Sequence, residues 1–253
     1  MKLQFALSRL FHSKRRIKTE PKIEELNEAQ KRQIKDQLLA HRHERYEVDI
    51  KLADDFSLNG FIVYPRVYRP DVMCALHLAR YLYAHPEIYE DKRVLDMGCG
   101  TGLQGIVIGL RGAKHVYFSD VSDIIDNVRE NLEKFGLINK ATINVPMTLF
   151  GNIAGKAEVI VFNHPFFPAS PKIFEPVEVS MLDSGILIHR FLEDAKQHLV
   201  EGGVIIMPFF HLAGDTNNPA VQGPKHGYQI EEKSRIENTE GLQKGETSIY
   251  VLR

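Results

Sequence analysis

The stretch from Arg93 to Asp120, RVLDMGCGTGLQGIVIGLRGAKHVYFSD, constrains this chain's fold more than any other. RVLDM is a short apolar run that reads as a buried strand. Glycines at every second position, Gly98, Gly100 and Gly102, then break it. LQGIVIGLRG has helical length and composition, and HVYFSD is a second short strand that again ends in an acid. A strand, a helix and a strand at this spacing form a crossover unit. Such units build parallel sheets with helices on their faces.

The alternation continues downstream. SDIIDNVRENLEKFG reads as a helix, with Ser122 or Asp123 near its N-cap and Gly136 at its stop. TINVPM, AEVIVFN and GGVIIMPFF are further strand candidates. LDSGILIHRFLEDAKQHLVEGG holds a helix between the last two, with Asp183, Ser184 and Gly185 as its cap. The C-terminus differs, because GYQIEEKSRI and ETSIYVLR have no helix between them and should pair antiparallel at one sheet edge. The expected fold is α/β, a doubly wound, mostly parallel sheet with an antiparallel C-terminal strand.

Upstream, residues 20–46 should be helical, with Ile23, Leu26, Ile34 and Leu38 on one face. Residues 1–45 are expected to form a basic, helical extension and residues 46–253 the main domain. YEVDIKL and FIVY read as a hairpin, with Asp54, Asp55 and Asn59-Gly60 as turn residues. VMCALHLARYLYA, residues 72–84, is an apolar helix in which His77 is a packed core histidine. His41 and His43 stand two apart, which places them on different helix faces, and they read as solvated surface.

Composition narrows the function classes. With 253 residues and a formal net charge of −1, the chain as a whole is no electrostatic clamp for nucleic acid. Two cysteines, Cys74 and Cys99, give no disulfide framework and suit a reducing, cytoplasmic setting. No apolar run is long enough to span a membrane, and no cluster has metal-ligand spacing. MKLQFALSRLFHSKRRIK is basic and lacks acids, which suits a solvated arm, a nucleic-acid arm or an organelle-targeting segment.

In a doubly wound sheet, ligands sit beyond the carboxyl ends of the strands. The spacing here is G-x-G-x-G, with Leu103 where a dinucleotide fingerprint needs a small residue. Asp96, just before the turn, would repel a pyrophosphate. Asp120, at the end of the next strand, can accept hydrogen bonds from ribose hydroxyls. The pattern therefore disfavours a nicotinamide dinucleotide. It favours a nucleoside cofactor with positive charge and no phosphate, such as S-adenosylmethionine.

VLDMGCGTG followed by FSDVS resembles the class I S-adenosylmethionine-dependent methyltransferases, over roughly residues 60–253. The resemblance implies a Rossmann-like, seven-stranded sheet with a reversed final strand. It implies that Asp96 orients the methionine end of the cofactor and that the backbone of Gly98, Cys99, Gly100 and Gly102 lines it. Asp120 would hold the ribose, with Val121 beside it. Met147 and Thr148 stand where the family often has an acid near the adenine.

VFNHPFFP then gains meaning, because Asn163, His164, Pro165 and Phe166 end the strand beside the glycine turn. The stretch resembles the Asn/Asp-Pro-Pro-Tyr/Phe signature of methyltransferases acting on planar nitrogen, including the HemK-type enzymes; His164 departs from the usual first proline. An amino group conjugated to a ring or carbonyl is a poor nucleophile. Two acceptors on its hydrogens, the Asn163 side-chain oxygen and the His164 carbonyl, would localise its lone pair and aim it. Pro165 would stiffen the turn, Phe166 would stack on the flat acceptor, and Phe167 would do the same or pack in the core. The acceptor implied is a nucleic-acid base, a protein glutamine amide or a small molecule. A non-catalytic cofactor-binding module is the alternative from another class. Tyr68, Arg69 and Asp71, in VYPRVYRPD, are candidates for a lid over the cofactor.

Overall fold

A helix, α1 (Glu28–Ala40), and a hairpin, β1 (Tyr46–Ala53) and β2 (Phe56–Val63), precede the alternating region. Next come α2 (Met73–Ala84), β3 (Arg93–Met97), α3 (Leu103–Leu110), β4 (His115–Ser119), α4 (Ile125–Lys134), β5 (Ala141–Asn144) and β6 (Ala157–Phe162). The chain ends with α5 (Pro176–Met181), α6 (Ile186–His198), β7 (Leu199–Phe210), α7 (Pro219–Gln222), β8 (Ile230–Asn238) and β9 (Gly245–Leu252). This computed structural model describes residues 25–253 apart from 122, 123, 146–148, 152, 154, 173 and 174. The basic N-terminal stretch, the cap candidates Ser122 and Asp123, and the pair Met147 and Thr148 lie outside the described residues.

The seven-stranded sheet has the order β5-β4-β3-β6-β7-β9-β8. β3 pairs parallel with β4 and β6, and β6 parallel with β7. β9 runs antiparallel to both β7 and β8. This is the expected doubly wound sheet with its reversed edge. The order turns at β3, since β4 and β5 extend one way and β6 and β7 the other. Such a switch leaves a crevice at the carboxyl ends of the central strands.

Burial explains why β3 and β6 are central. Both are apolar on both faces, as parallel strands under two helix layers must be. Val94, Val159 and Val161 join one cluster, with Leu78, Leu82, Ile106, Phe118 and Val128. Leu95, Ile160 and Phe162 join the other, with Phe191, Leu192, Ile205 and Phe209. His77 is a core residue as expected. Its ring nitrogens meet the Thr247 hydroxyl at 2.9 Å and the Ser234 hydroxyl at 2.8 Å, tying α2 to the reversed strands.

Three expectations need correction. The helix expected over 20–46 runs only from Glu28 to Ala40 among the described residues, because the Asn27 side chain caps its start and Tyr46 already belongs to β1; residues 20–24, Ile23 included, lie outside the described residues. Asn59-Gly60 is not the hairpin turn: Asp54 and Asp55 make the turn, and Asn59-Gly60 lies inside β2. There two β2 residues oppose only Asp49, because Val48 pairs with Phe61 and Ile50 with Leu58. Gly60 takes a φ of 64°, which its missing side chain permits. His41 is also not solvated surface. It is buried, stacks on Tyr68 with ring centres 4.5 Å apart, and its Nδ1 donates to the Gln37 carbonyl at 2.6 Å.

The hairpin is held to the main sheet by two fully buried asparagines of α4, which stand in for a missing strand. The Asn131 Oδ1 accepts from the Ile62 N–H at 2.9 Å, and its Nδ2 donates to the Ile62 carbonyl at 2.8 Å and the Thr101 carbonyl at 3.0 Å. Asn127 accepts from the Tyr64 N–H at 3.0 Å and donates to the Ile62 carbonyl at 2.9 Å. Removing Asn131 leaves buried backbone groups unpaired, at about 2–3 kcal/mol. Asn131→Ala should therefore lower the melting temperature by roughly 5–10 °C in thermal unfolding followed by circular dichroism.

Candidate active site

The turn after β3 is set by three left-handed glycines, Gly98 at φ 60°, Gly100 at 55° and Gly102 at 84°. The Gly98 and Cys99 N–H groups donate to the Ser119 carbonyl at 2.8 and 3.3 Å, fastening the turn to the end of β4. A side chain at Gly100 would meet no atom within 4 Å, so backbone faces open space there. Gly105, in the first turn of α3, is needed for the opposite reason. A Cβ there would fall 2.3 Å from the Phe118 ring and 2.9 Å from the Asp96 Oδ2.

The two acids flank this turn. Asp96 is buried behind it and accepts from the Gly105 N–H at 2.9 Å. Burial pushes its carboxyl up to about 7, against the pull of that N–H. Asp120 is half-buried on the cleft wall. Its two oxygens accept from the Gly100 and Val121 N–H groups, each at 2.7 Å. Burial raises it to about 6 despite those bonds.

β6 delivers the second half of the site. Its register with β3 sets Phe162 opposite Met97, so Asn163 and Gly98 leave adjacent strand ends at the same level. The Asn163 Oδ1 is buried and has no hydrogen-bond partner. Phe166 is buried edge-on to Phe209, ring centres 5.7 Å apart, and to His164 at 5.1 Å. Phe167 is buried too, and its N–H and carbonyl bond Met181 and Asp183, both at 3.0 Å. Asp183 carries the helix cap read from sequence, accepting from the Leu187 and Ile188 N–H groups at 2.9 and 3.0 Å.

The His164 imidazole is 1% exposed and packs among Phe162, Phe166 and Phe209. Its Nε2 donates to the Asn217 carbonyl at 2.8 Å, and burial pushes its pKa down to about 4. The ring is thus a neutral fastener. Asn217 completes the clamp, since its Nδ2 donates to the Phe166 carbonyl at 3.2 Å and the Asp183 carbonyl at 2.7 Å.

These parts share one cleft, open to solvent at its mouth. Gly98, Cys99, Gly100, Asp120, Val121 and the run Asn163–Phe167 all line it; Gly102 and Asp96 stand behind the lining. The far wall is apolar, with Leu149, Met181 and Leu187, and Asp120 is the sole acid among the described lining residues. Tyr68 and Arg69 of the candidate lid line it as well, while Asp71 holds Arg69 through bonds of 2.9 and 2.5 Å. Among the described residues, no group of three or more His, Cys, Asp or Glu could hold a metal, and no helix is long and apolar enough to cross a membrane.

Sequence reading missed Gln37, Asn217 and the wall built by α5. Gln37 carried no signal, being one polar residue on a charged helix. Asn217 begins an Asn-Asn-Pro run whose turn chemistry could have drawn attention to it.

The sequence profile of the methyltransferase small domain family matches residues 75–211. A Methanocaldococcus jannaschii protein provisionally described as a protein N5-glutamine methyltransferase is 27% identical over 176 residues, which are 61% of this chain and 88% of that protein. Protein arginine N-methyltransferase 1 of Saccharomyces cerevisiae is 32% identical over 151 residues, 57% of this chain and 38% of that one. The chain thus spans most of the archaeal relative and well under half of the yeast one. Among solved structures, the ribosomal protein L11 methylase of Lactobacillus delbrueckii subsp. bulgaricus shares the fold, with a TM-score of 0.54 at 17% identity over 83% of this chain and 97% of that one. With its profile match covering more than half of its length, its sheet order and its glycine turn, the chain belongs to the methyltransferase small domain family and is an S-adenosylmethionine-dependent methyltransferase.

Proposed function

We propose that the chain methylates an uncharged planar nitrogen, and that a protein glutamine amide fits its cleft best. The observation that carries this reading is the buried, unpartnered Oδ1 of Asn163, in the same cleft as the glycine turn. An acceptor left unpaired in a folded protein is costly unless a ligand donor meets it.

The chain's own residues divide the work. Asp120 would accept from the ribose hydroxyls, and the bare backbone at Gly100 would let a nucleoside approach closely. Asp96 would hold the turn through Gly105 and orient the methionine end. Met147 and Thr148, which stand where the family often has an acid near the adenine, lie outside the described residues. S-adenosylmethionine, when bound, supplies an electrophilic methyl group on a cationic sulfur. Asn163 Oδ1 and the His164 carbonyl would take the two hydrogens of the acceptor amine and turn its lone pair toward that methyl. With the acceptor held this way, transfer of the methyl group to nitrogen would leave the carbon–sulfur bonding electrons on the departing sulfur. The surplus proton then leaves the nitrogen to water, so the chain needs no strong base. Phe166 supplies an apolar flank for the flat acceptor.

The cleft's electrostatics favour a neutral acceptor. A guanidinium, such as the yeast relative's name implies, would be desolvated in a cleft whose described lining holds Asp120 as its sole acid. Among the described lining residues, a polynucleotide would find only Arg66 and the already paired Arg69 as cations. The archaeal relative's described activity points to glutamine as well.

Methyl-labelled S-adenosylmethionine, offered with a soluble protein extract and separately with total RNA, tests the acceptor. Label should enter protein. Asn163→Ala should lower kcat by roughly 10²–10³-fold while calorimetry finds cofactor affinity nearly unchanged; a collapse of cofactor binding would make Asn163 structural. A pH series tests Asp120. Its folded pKa is about 6, above the ordinary 3.8, so in the free protein it favours folding below 3.8 and loses that contribution as pH rises through 6. Hydroxyl donors of a bound ribose favour its ionised form. Cofactor affinity should therefore weaken as pH falls below 6, by up to about tenfold per unit, and Asp120→Asn should flatten that slope in calorimetry.

A further inference from the structure

Gln37 lies on α1, in the part of the chain that sequence reading treats as an extension, yet it lines the cleft. It is 1% exposed, and its Nε2 has no hydrogen-bond partner. Which end of a glutamine amide carries the hydrogens is fixed here by a directional chain of bonds. The Cys74 backbone N–H can only donate, and it meets the Gln243 Oε1 at 3.0 Å. The other end of Gln243 is therefore NH2, which donates to the Tyr68 hydroxyl oxygen at 3.2 Å. The Tyr68 O–H is then free to donate, and it meets the Gln37 Oε1 at 3.0 Å. With the Tyr68 hydrogen on the Gln37 Oε1, the NH2 of Gln37 is the end left over.

The position of α1 tells which part of the cleft this donor serves. α1 packs on α5 and on the turn His211–Ala213, where the Gln30 Nε2 donates to the Leu212 and Ala213 carbonyls at 3.1 and 3.0 Å. Both partners follow β6 and β7, on the Asn163 side of the sheet switch. Asp120 follows β4, on the other side. The helix that carries the free donor thus leans on the Asn163 side of the switch, and the donor itself meets the cleft beside Tyr68.

We propose that Gln37 binds the methyl acceptor, donating its NH2 to the carbonyl oxygen of a carboxamide whose own nitrogen is held by Asn163. The Gln37 NH2 and the Asn163 Oδ1, set among other unpartnered lining atoms that include the Ser119 Oγ and the His164 Nδ1, are the complement of a primary amide, which offers an acceptor beside its NH2. This assignment rests on the reading of Asn163 as the acceptor of the reacting amine.

The test uses the full chain, a soluble protein extract as acceptor and methyl-labelled S-adenosylmethionine. Acid hydrolysis of a methylated carboxamide releases labelled methylamine, which identifies the product class. Gln37→Glu keeps an oxygen for the Tyr68 hydroxyl and removes the NH2; Gln37→Met removes it without adding charge. Both should raise the apparent KM for the extract at least tenfold, with the cofactor Kd from calorimetry unchanged within twofold. Tyr68→Phe breaks the relay but keeps the donor, and should move KM less than either.

An unchanged acceptor KM in both Gln37 variants overturns the assignment. So does a weakened cofactor Kd with acceptor KM intact, because the donor then serves the cofactor. Label that enters RNA instead of protein, or protein label that yields no methylamine, overturns the carboxamide. Turnover that survives Asn163→Ala removes the underlying reading, and it is seen before any Gln37 variant is made.

Discussion

The burial of β3 and β6 on both faces is the constraint from which the rest follows. Two strands this apolar must lie between helix layers, and helices can cover both faces only if the chain crosses over in both directions. Crossing over in both directions makes the order reverse at β3. Reversal separates the loops beyond β3 and β6 and leaves a crevice between them. The glycine turn and the Asn163 loop both line that crevice.

Neutral polar groups, more than charges, hold the crevice in shape. The ion pairs among the described residues lie at the surface or half-exposed, where each contributes little. The joints around the cleft are amides, an imidazole and a phenol. Asn217 and His164 fasten the loop after β7 to the loop after β6, and Asn131 fastens the hairpin to the glycine turn. A buried amide can meet a donor and an acceptor at once without carrying a net charge into a low-dielectric site. Of the acids around the cleft, Asp96 and Asp120 hold the glycine turn and Asp183 caps α6, each by accepting backbone N–H groups.

What could be read from the sequence was whatever repeats or has fixed spacing. Strand and helix periods gave the sheet and its reversed edge. The glycines, the two acids and the Asn-His-Pro-Phe run marked the cleft from three separate stretches of chain. Gln37 was invisible because its role depends on tertiary partners more than thirty residues away, and no local pattern encodes a hydrogen-bond relay. His41 was misread for the same reason: only the Tyr68 ring above it makes it a core residue. The Asn59-Gly60 pair misled because its turn chemistry also suits a bulge, and only the register of the partner strand decides between them.

Asn131 has one more consequence. The family profile begins at residue 75, inside α2, and so leaves the hairpin outside. Yet the same asparagine side chain grips Ile62 of the hairpin and Thr101 of the glycine turn, and Phe61 sits in the core beneath them. The stretch that the family profile matches and the set of residues that holds the glycine turn in place are therefore different objects. A segment cut at the edge of sequence similarity would carry the cofactor turn with one of its struts removed.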